Sequence, residues 1–256
     1  MKKRKITVKK IIKKLFINTE RCLYILEDLL FPNRRDKIII YTAIFGGRDK
    51  LLEPKYKPSN CDFVCFTDTK FESKIWDVRV VEPINEDPFR AAKIYKILPH
   101  KYFPDYKYSV WVDGCISVRG NVNRLIRKYL NNANMAVFNH RQERGCVYKE
   151  AEVLLTMIKN GKPKDKPELI KKQIEKYKKE GYPRDNGMLI AMELVRRHNE
   201  SDVVKTMKDW WREIENHSRR DQISFNYVAW KNNLNFNYIY KDSIENVYFK
   251  QLMHIK

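Results

Sequence analysis

Asp113 closes the apolar run "YSVWV" and is followed by Gly114 and Cys115. A carboxylate in that position is placed to hold Mg2+ or Mn2+, hard cations that take oxygen ligands and share them with a diphosphate. An Asx turn before Gly114 is the plainer reading. Upstream, "PFRAAKIYKILPH" sets Arg90 and Lys93 three residues apart on one helical face, with Lys96 three further on. The pair Arg90 and Lys93 can meet a diphosphate and neutralise a leaving group. In so Lys-rich a chain, a solvated basic face explains it as well. "SRRDQISF" gathers Arg219, Arg220, Asp221 and Gln222 at a helix start, where Asp221 could equally be a cap. "FNHRQERG" puts His140 and Arg141 just past a strand, and His254 is a lone histidine in "QLMHIK". The glycines of "FGGRD" lack the spacing of the dinucleotide fingerprint, and no Walker A, HExxH or GxSxG sequence occurs.

These residues need elements to position them. "KIIIYTAIF", "CDFVCFTD", "IWDVRVVEP", "YSVWVDG" and "MAVFNH" read as strands, and "PFRAAKIYKILPH" and "NVNRLIRKYLNN" as helices between them. That alternation argues for a mainly parallel sheet. Ligands bind such sheets at the carboxyl ends of the strands, where Thr42 to Asp49, Asp68, Asp113 and His140 fall. The second half is mostly helical. "VYKEAEVLLTMIKNG" and "PELIKKQIEKYKKEG" end at Gly161 and Gly181, where C-caps belong. "GMLIAMEL" reads as a strand, and "SDVVKTMKDWWREIENHS" and "DQISFNYVAWKNN" as helices.

The 256 residues carry a formal net charge of +20, and "MKKRKITVKKIIKK" holds eight Lys and Arg and no acid. With 43% hydrophobic residues the chain can fill a core. Five cysteines without a CxxC pair argue against a disulfide framework and for a reducing cytoplasm. Neither a signal peptide nor a membrane-spanning run is expected. Ile11, Ile12, Leu15, Phe16, Leu23, Leu26 and Leu30 recur at helical spacing opposite a lysine-rich face. That pattern suits a helix lying on an anionic leaflet, or one packed on its own domain with a solvated face. No zinc-finger spacing or RNA-binding signature supports a nucleic-acid partner.

In order, "YTAIFGGRDKL", "DFVCFTD", "FRAAKIYKILPHKYFPDYKYSVWVDGCISV", "FNHRQERGCVYKEAEV", "QIEKYKKEGYP" and "RDQISFNYV" resemble a glycosyltransferase-like family first catalogued as a domain of unknown function. It has plant members linked to mucilage and pectin polysaccharides and many bacterial members. The resemblance runs from about Ile38 to about His254. It implies an α/β fold of GT-A type over residues 37–256, a mainly parallel central sheet flanked by helices, after a basic amphipathic helix and linker at 1–36. It further implies transfer from a nucleoside-diphosphate sugar, a UDP-sugar above others, to a saccharide or lipid-linked hydroxyl, assisted by Mn2+ or Mg2+. Carried onto this sequence, Thr42, Ala43 and Phe45 would line the base, Arg48 would lie near the phosphates, and Asp68 would face base or ribose. Arg90 and Lys93 would meet the donor sugar and diphosphate. Asp113 stands where such enzymes carry their DxD signature, with His254 as a further metal position. His140, Arg141, Glu150 and Glu152 would border the acceptor, and Asp221 and Gln222 would sit near the reacting sugar.

The signature here is D-G-C, and Cys115 is a soft ligand poorly matched to these metals. A metal-free variant with basic side chains at the leaving group therefore stays open. So does stereochemistry: an inverting reaction needs a base, for which Asp221, Glu150 or Asp185 are candidates, while the "DQ" likeness leans to retention. Two other classes are a metal-dependent hydrolase of a lipid amide and a basic module binding an anionic polymer.

Overall fold

Ile38–Ile44 (β1) is buried at every position, as an apolar strand flanked on both sides must be. The structure is a computed structural model that describes residues 12–23, 26, 30, 36–140, 145–162 and 165–252. A first helix (α1) covers residues 12–23. After β1 come Cys61–Thr67 (β2), Asp77–Val80 (β3), Pro88–Ile97 (α2), Tyr108–Val112 (β4), Ile116–Val118 (β5), Val122–Tyr129 (α3) and Met135–Asn139 (β6). Then follow Val147–Lys159 (α4), Pro167–Lys179 (α5), Leu189–Arg196 (β7), Ser201–Asn216 (α6), Phe225–Lys231 (α7), Phe236–Ile239 (β8) and Phe249–Gln251 (β9).

Seven strands form one sheet in the order β3-β2-β1-β4-β7-β6-β8. β7 runs antiparallel to both its neighbours and every other pair is parallel, so the sheet is the mainly parallel one expected. The carboxyl ends of β1, β2, β4 and β6 consequently share one edge. Alternation along β1 divides the core: Ile39, Tyr41 and Ala43 face one cluster and Ile38, Ile40 and Ile44 the other. The first cluster is covered by α2, α4, α5, α6 and α7, through Tyr95, Leu154, Ile170, Trp210 and Phe225. The second is covered by α3 and by the small β5–β9 sheet, through Leu125, Ile126, Ile116 and Phe249.

Three strands go beyond the sequence reading. β5, β8 and β9 span only three or four residues each, too few to show a period. "DQISFNYVAWKNN" is not one helix: a 3-10 turn at Asp221–Ile223 precedes α7. β6 and β7 slip in register, since Val137 pairs with Leu194 and Phe138 with Ile190, so residues 191–193 bulge from the ladder.

β9 is locked to β5 by close backbone approach at Gly120, where an added Cβ would lie 2.1 Å from the Val247 carbonyl oxygen. Gly120→Ala must push that backbone away. It is expected to cost about 3 kcal/mol, read as a lowered denaturation midpoint.

Candidate functional site

A cavity of about 850 Å³ opens at the shared strand edge. β1 ends into it with Ala43, Ile44 and Phe45, and the turn that follows adds Arg48 and Asp49. Gly46 and Gly47 both have positive φ, 66° and 61°, which glycine adopts freely. The Gly46 N–H donates to Asp68 Oδ2 at 2.8 Å. Asp68, just past β2, therefore braces this turn and is not among the lining residues.

α2 forms the opposite wall with Pro88, Phe89, Ala92, Lys93 and Lys96. Asp87 caps it, accepting the Phe89 N–H at 3.0 Å, and Pro88 supplies the preset first φ. The same carboxylate takes Arg90 at 3.0 Å and Arg219 at 3.0 Å. Burial works against its charge, yet these partners hold it below the usual carboxylate range. The guanidinium carbons of Arg48 and Arg219 lie 3.7 and 4.2 Å from the centre of the Phe89 ring, so one aromatic ring carries two cations.

At the centre, Lys96 Nζ donates to Asp221 Oδ2 at 2.7 Å and to Asp113 Oδ1 at 3.2 Å. Asp113 Oδ1 also accepts Trp111 Nε1–H at 2.7 Å. No described residue bonds Asp113 Oδ2, and the side chain keeps 34% of its exposure. Burial opposes the Lys96 charge, but Asp113 and Asp221 together hold its ammonium above the ordinary lysine range. Asp221 is likewise buried, and Lys93, Lys96 and Arg220 hold its carboxyl well below the ordinary value. Lys93 Nζ donates to the Arg219 carbonyl and lies 3.5 Å from Asp221 Oδ1. Burial pushes Lys93 down to about 8, with Arg220 and Lys96 adding to that and Asp221 opposing it. Gln222 takes Arg220 Nη2 on its amide oxygen at 3.1 Å.

One acid under this site was not singled out by sequence. Glu193, on β7 opposite Val112, is fully buried and neither side-chain oxygen has a hydrogen-bond partner among the described residues. Burial raises it well above the usual carboxylate range, nearby Asp113 adds to the rise and Lys96 opposes it. Its signal was a single acid inside the apolar run "MLIAMELV".

The residues singled out by sequence therefore divide. Ala43, Phe45, Arg48, Lys93, Asp113, His140, Asp221 and Gln222 line the one cavity. Arg90 does not: its guanidinium is spent on Asp87 and on the Ile214 and His217 carbonyls, tying α2 to the end of α6. Thr42 is buried within β1, and its neighbours in the strand, not its own side chain, reach the cavity. Glu150 is buried in the first turn of α4 and Glu152 is exposed on the same helix; neither is a lining residue. Asp185 is exposed and paired with Lys149 at 3.2 Å. Arg141 and His254 lie outside the described residues.

Among the described residues the donors do not fit a divalent cation. Asp49, Asp113 and Asp221 bring carboxylates to the cavity, but Asp113 Oδ1 already holds an ammonium and an indole N–H, and Asp221 Oδ2 holds the same ammonium. Cys115 is buried and its thiol is pushed up to about 12, chiefly by burial, so no thiolate is offered. Among the described residues no three His, Cys, Asp or Glu gather as metal ligands. A hard dication needs several oxygens, and here it would have to sit beside Lys96.

Comparison with known proteins finds that the family model of the TOD1/MUCI70, glycosyltransferase-like domain matches residues 27–254. The "Probable hexosyltransferase MUCI70" of Arabidopsis thaliana is 27% identical over 231 residues, covering 78% of this chain and 38% of the plant protein. The chain thus spans under two fifths of that relative's length. Among solved structures, the WbbM bifunctional glycosyltransferase is matched over 82% of this chain and 39% of that chain, at 12% identity and a TM-score of 0.43. Mouse xyloside xylosyltransferase 1 is matched over 80% and 85%, at 11% identity and a TM-score of 0.42.

Proposed function

The chain belongs to the TOD1/MUCI70 glycosyltransferase-like domain family, and on that footing we propose that its cavity transfers a sugar from a nucleoside-diphosphate sugar to a hydroxyl acceptor. The observation that carries this is the convergence of five cationic side chains, Arg48, Lys93, Lys96, Arg219 and Arg220, on one cavity with Asp221 and Gln222. Departure of a diphosphate places negative charge on a phosphate oxygen, and preorganised cations are worth most where that charge develops. Asp221 and Gln222 present carboxylate and amide oxygens to a sugar centre that turns cationic as the bond breaks. A retaining course suits these residues better than an inverting one. Asp221 is held ionised by its ammonium partners and is a weak base, while Glu150 and Asp185 are not lining residues. Proton NMR of the first-formed product reads the anomer directly, and an inverted centre would overturn that course. UDP-sugars are the first donors to test and a saccharide or lipid-linked hydroxyl the first acceptor.

A thermal-shift screen of nucleotide-sugars tests the reading, because a ligand of the folded state raises the melting temperature. A shift from one nucleotide class, lost in Asp221→Asn, is the expected result. No shift from any nucleotide-sugar would sink it. The rival hydrolase of a lipid amide finds no metal-ligand cluster among the described residues.

Lys93 sets a pH dependence. A bound diphosphate favours its charged form, so below about 8 the ammonium is already present and above it binding must take up a proton. Nucleoside-diphosphate affinity is expected to fall as pH climbs past about 8. Calorimetry in buffers of different ionisation heat should show proton uptake on that side only.

We propose further that the protein works on an anionic membrane face in the cytoplasm. α1 fastens to the body through buried Ile17 and through Lys13 with Asp242 at 2.5 Å, while Ile12, Leu15, Phe16 and Leu23 stay exposed. Among the described residues no helix is long and apolar enough to cross a membrane. An apolar helix face beside lysines is what an anionic leaflet binds. Phe16→Asp is expected to lower partition into phosphatidylglycerol vesicles about tenfold, measured by sedimentation; unchanged partition would leave the helix a purely structural element.

A further inference from the structure

Lys96 is one of the deeply buried cations among the described residues. It is 2% exposed on the cavity wall of α2, and its ammonium is gripped by carboxylates from two distant parts of the chain, Asp113 after β4 and Asp221 in the 3-10 turn. Trp111 closes a third side, its ring centre 5.5 Å from Nζ. A buried lysine this well paired is rigid, charged and unable to leave. It also stands between Asp113 and Asp221, two of the three carboxylates that line this cavity with Asp49.

From this arrangement we infer that Lys96 is the resident cation of the site: it does the work of a divalent metal, and diphosphate recognition here is metal-independent. The inference rests on the proposed sugar transfer. In that reaction the bond from the anomeric carbon to the diphosphate oxygen breaks and its electron pair leaves with the diphosphate. The acceptor oxygen forms the new bond, and its proton passes to the released diphosphate. Lys96 and Lys93 stand on adjacent turns of α2 and line the cavity that would take that leaving group, together with Arg219 and Arg220. The Asp113–Lys96–Asp221 clamp fixes the position of the ammonium before any ligand arrives. The pairing also accounts for the missing second aspartate at Cys115. Cys115 is buried there, and the charge to be held is on a side chain that takes one oxygen from each acid.

The test uses the full chain. Binding of UDP, GDP, ADP and CDP is titrated by calorimetry in EDTA and again in Mn2+. The tightest of them is expected to bind within about threefold equally in both, and Lys96→Met to weaken it at least about thirtyfold in both. Lys96→Arg, which keeps the charge, should recover part of that loss. If EDTA abolishes binding to the wild-type chain and Mn2+ restores it, the assignment is overturned, whether or not Lys96→Met folds. Should none of the four bind in either condition, it is the transfer reading that fails, and Mn2+ titration followed by paramagnetic resonance then decides the assignment alone. Mn2+ bound by the wild-type chain and lost in Asp113→Asn overturns it; no Asp113-dependent Mn2+ upholds it.

Discussion

Replacing Asp221 with Asn will cost both activity and stability. Asp221 is 6% exposed and carries the opposing charge for Lys96 at 2.7 Å and Lys93 at 3.5 Å. Removing one partner of a buried pair is worth about 3–5 kcal/mol, because the other charge stays behind in the protein. In a chain of this size that lowers the melting temperature by roughly 10 °C. Lys93, which burial already holds near 8, would lose the carboxylate that opposes its deprotonation. Part of the cavity's positive charge would then vanish at neutral pH, and with it donor affinity. The negative charge proposed to face the sugar is also lost. Transfer measured as kcat/KM is expected to fall about a thousandfold or more. A variant with normal stability and activity would remove Asp221 from the site's account.

Asp113→Asn makes the contrasting case, with activity lost and the fold retained. Asp113 lines the cavity with its side chain one third exposed, so an amide can be solvated there. The Trp111 N–H and the Lys96 ammonium can still donate to the amide oxygen, which limits the structural cost to about 1 kcal/mol. What disappears is the charge that fixes Lys96 and the open Oδ2. Both transfer and donor hydrolysis are expected to drop about a thousandfold while the melting temperature moves by only a few degrees. Full retained activity would sink the assignment. The pair of variants separates the two acids, since one is read in the melting curve and the other is not.

The parts of the site that the sequence discloses are those fixed by strand ends. An apolar strand with a polar residue at its carboxyl end is visible in "YSVWVDG" and in "MAVFNH", and parallel pairing carries Asp113 and His140 to the same edge. Helical faces are less decisive. Arg90 and Lys93 lie about 60° apart around α2, and the cavity's border falls between them: Lys93 faces in and Arg90 faces α6. Lys96 was only the next step in the row. Its importance comes from Asp221, 125 residues away, and no local pattern encodes that meeting. Glu150 shows the converse. A carboxylate in a polar first turn looks like an exposed site residue, yet the packing of α4 buries it. The strands that escaped notice, β5 and β9, are held by each other across 130 positions of chain and by Gly120, not by their own three residues.

The reach of the Lys96–Asp221 contact bears on how the protein opens. α2 and the 3-10 turn are joined through this pair, through Lys93 with the Arg219 carbonyl, and through Arg90 with the Ile214 and His217 carbonyls. No fragment holding only one side of these contacts can assemble the cavity. The amides of α2 and of residues 219–223 will therefore exchange with solvent as one unit. A diphosphate in the cavity will slow both together, so that two segments 125 residues apart report a single opening event.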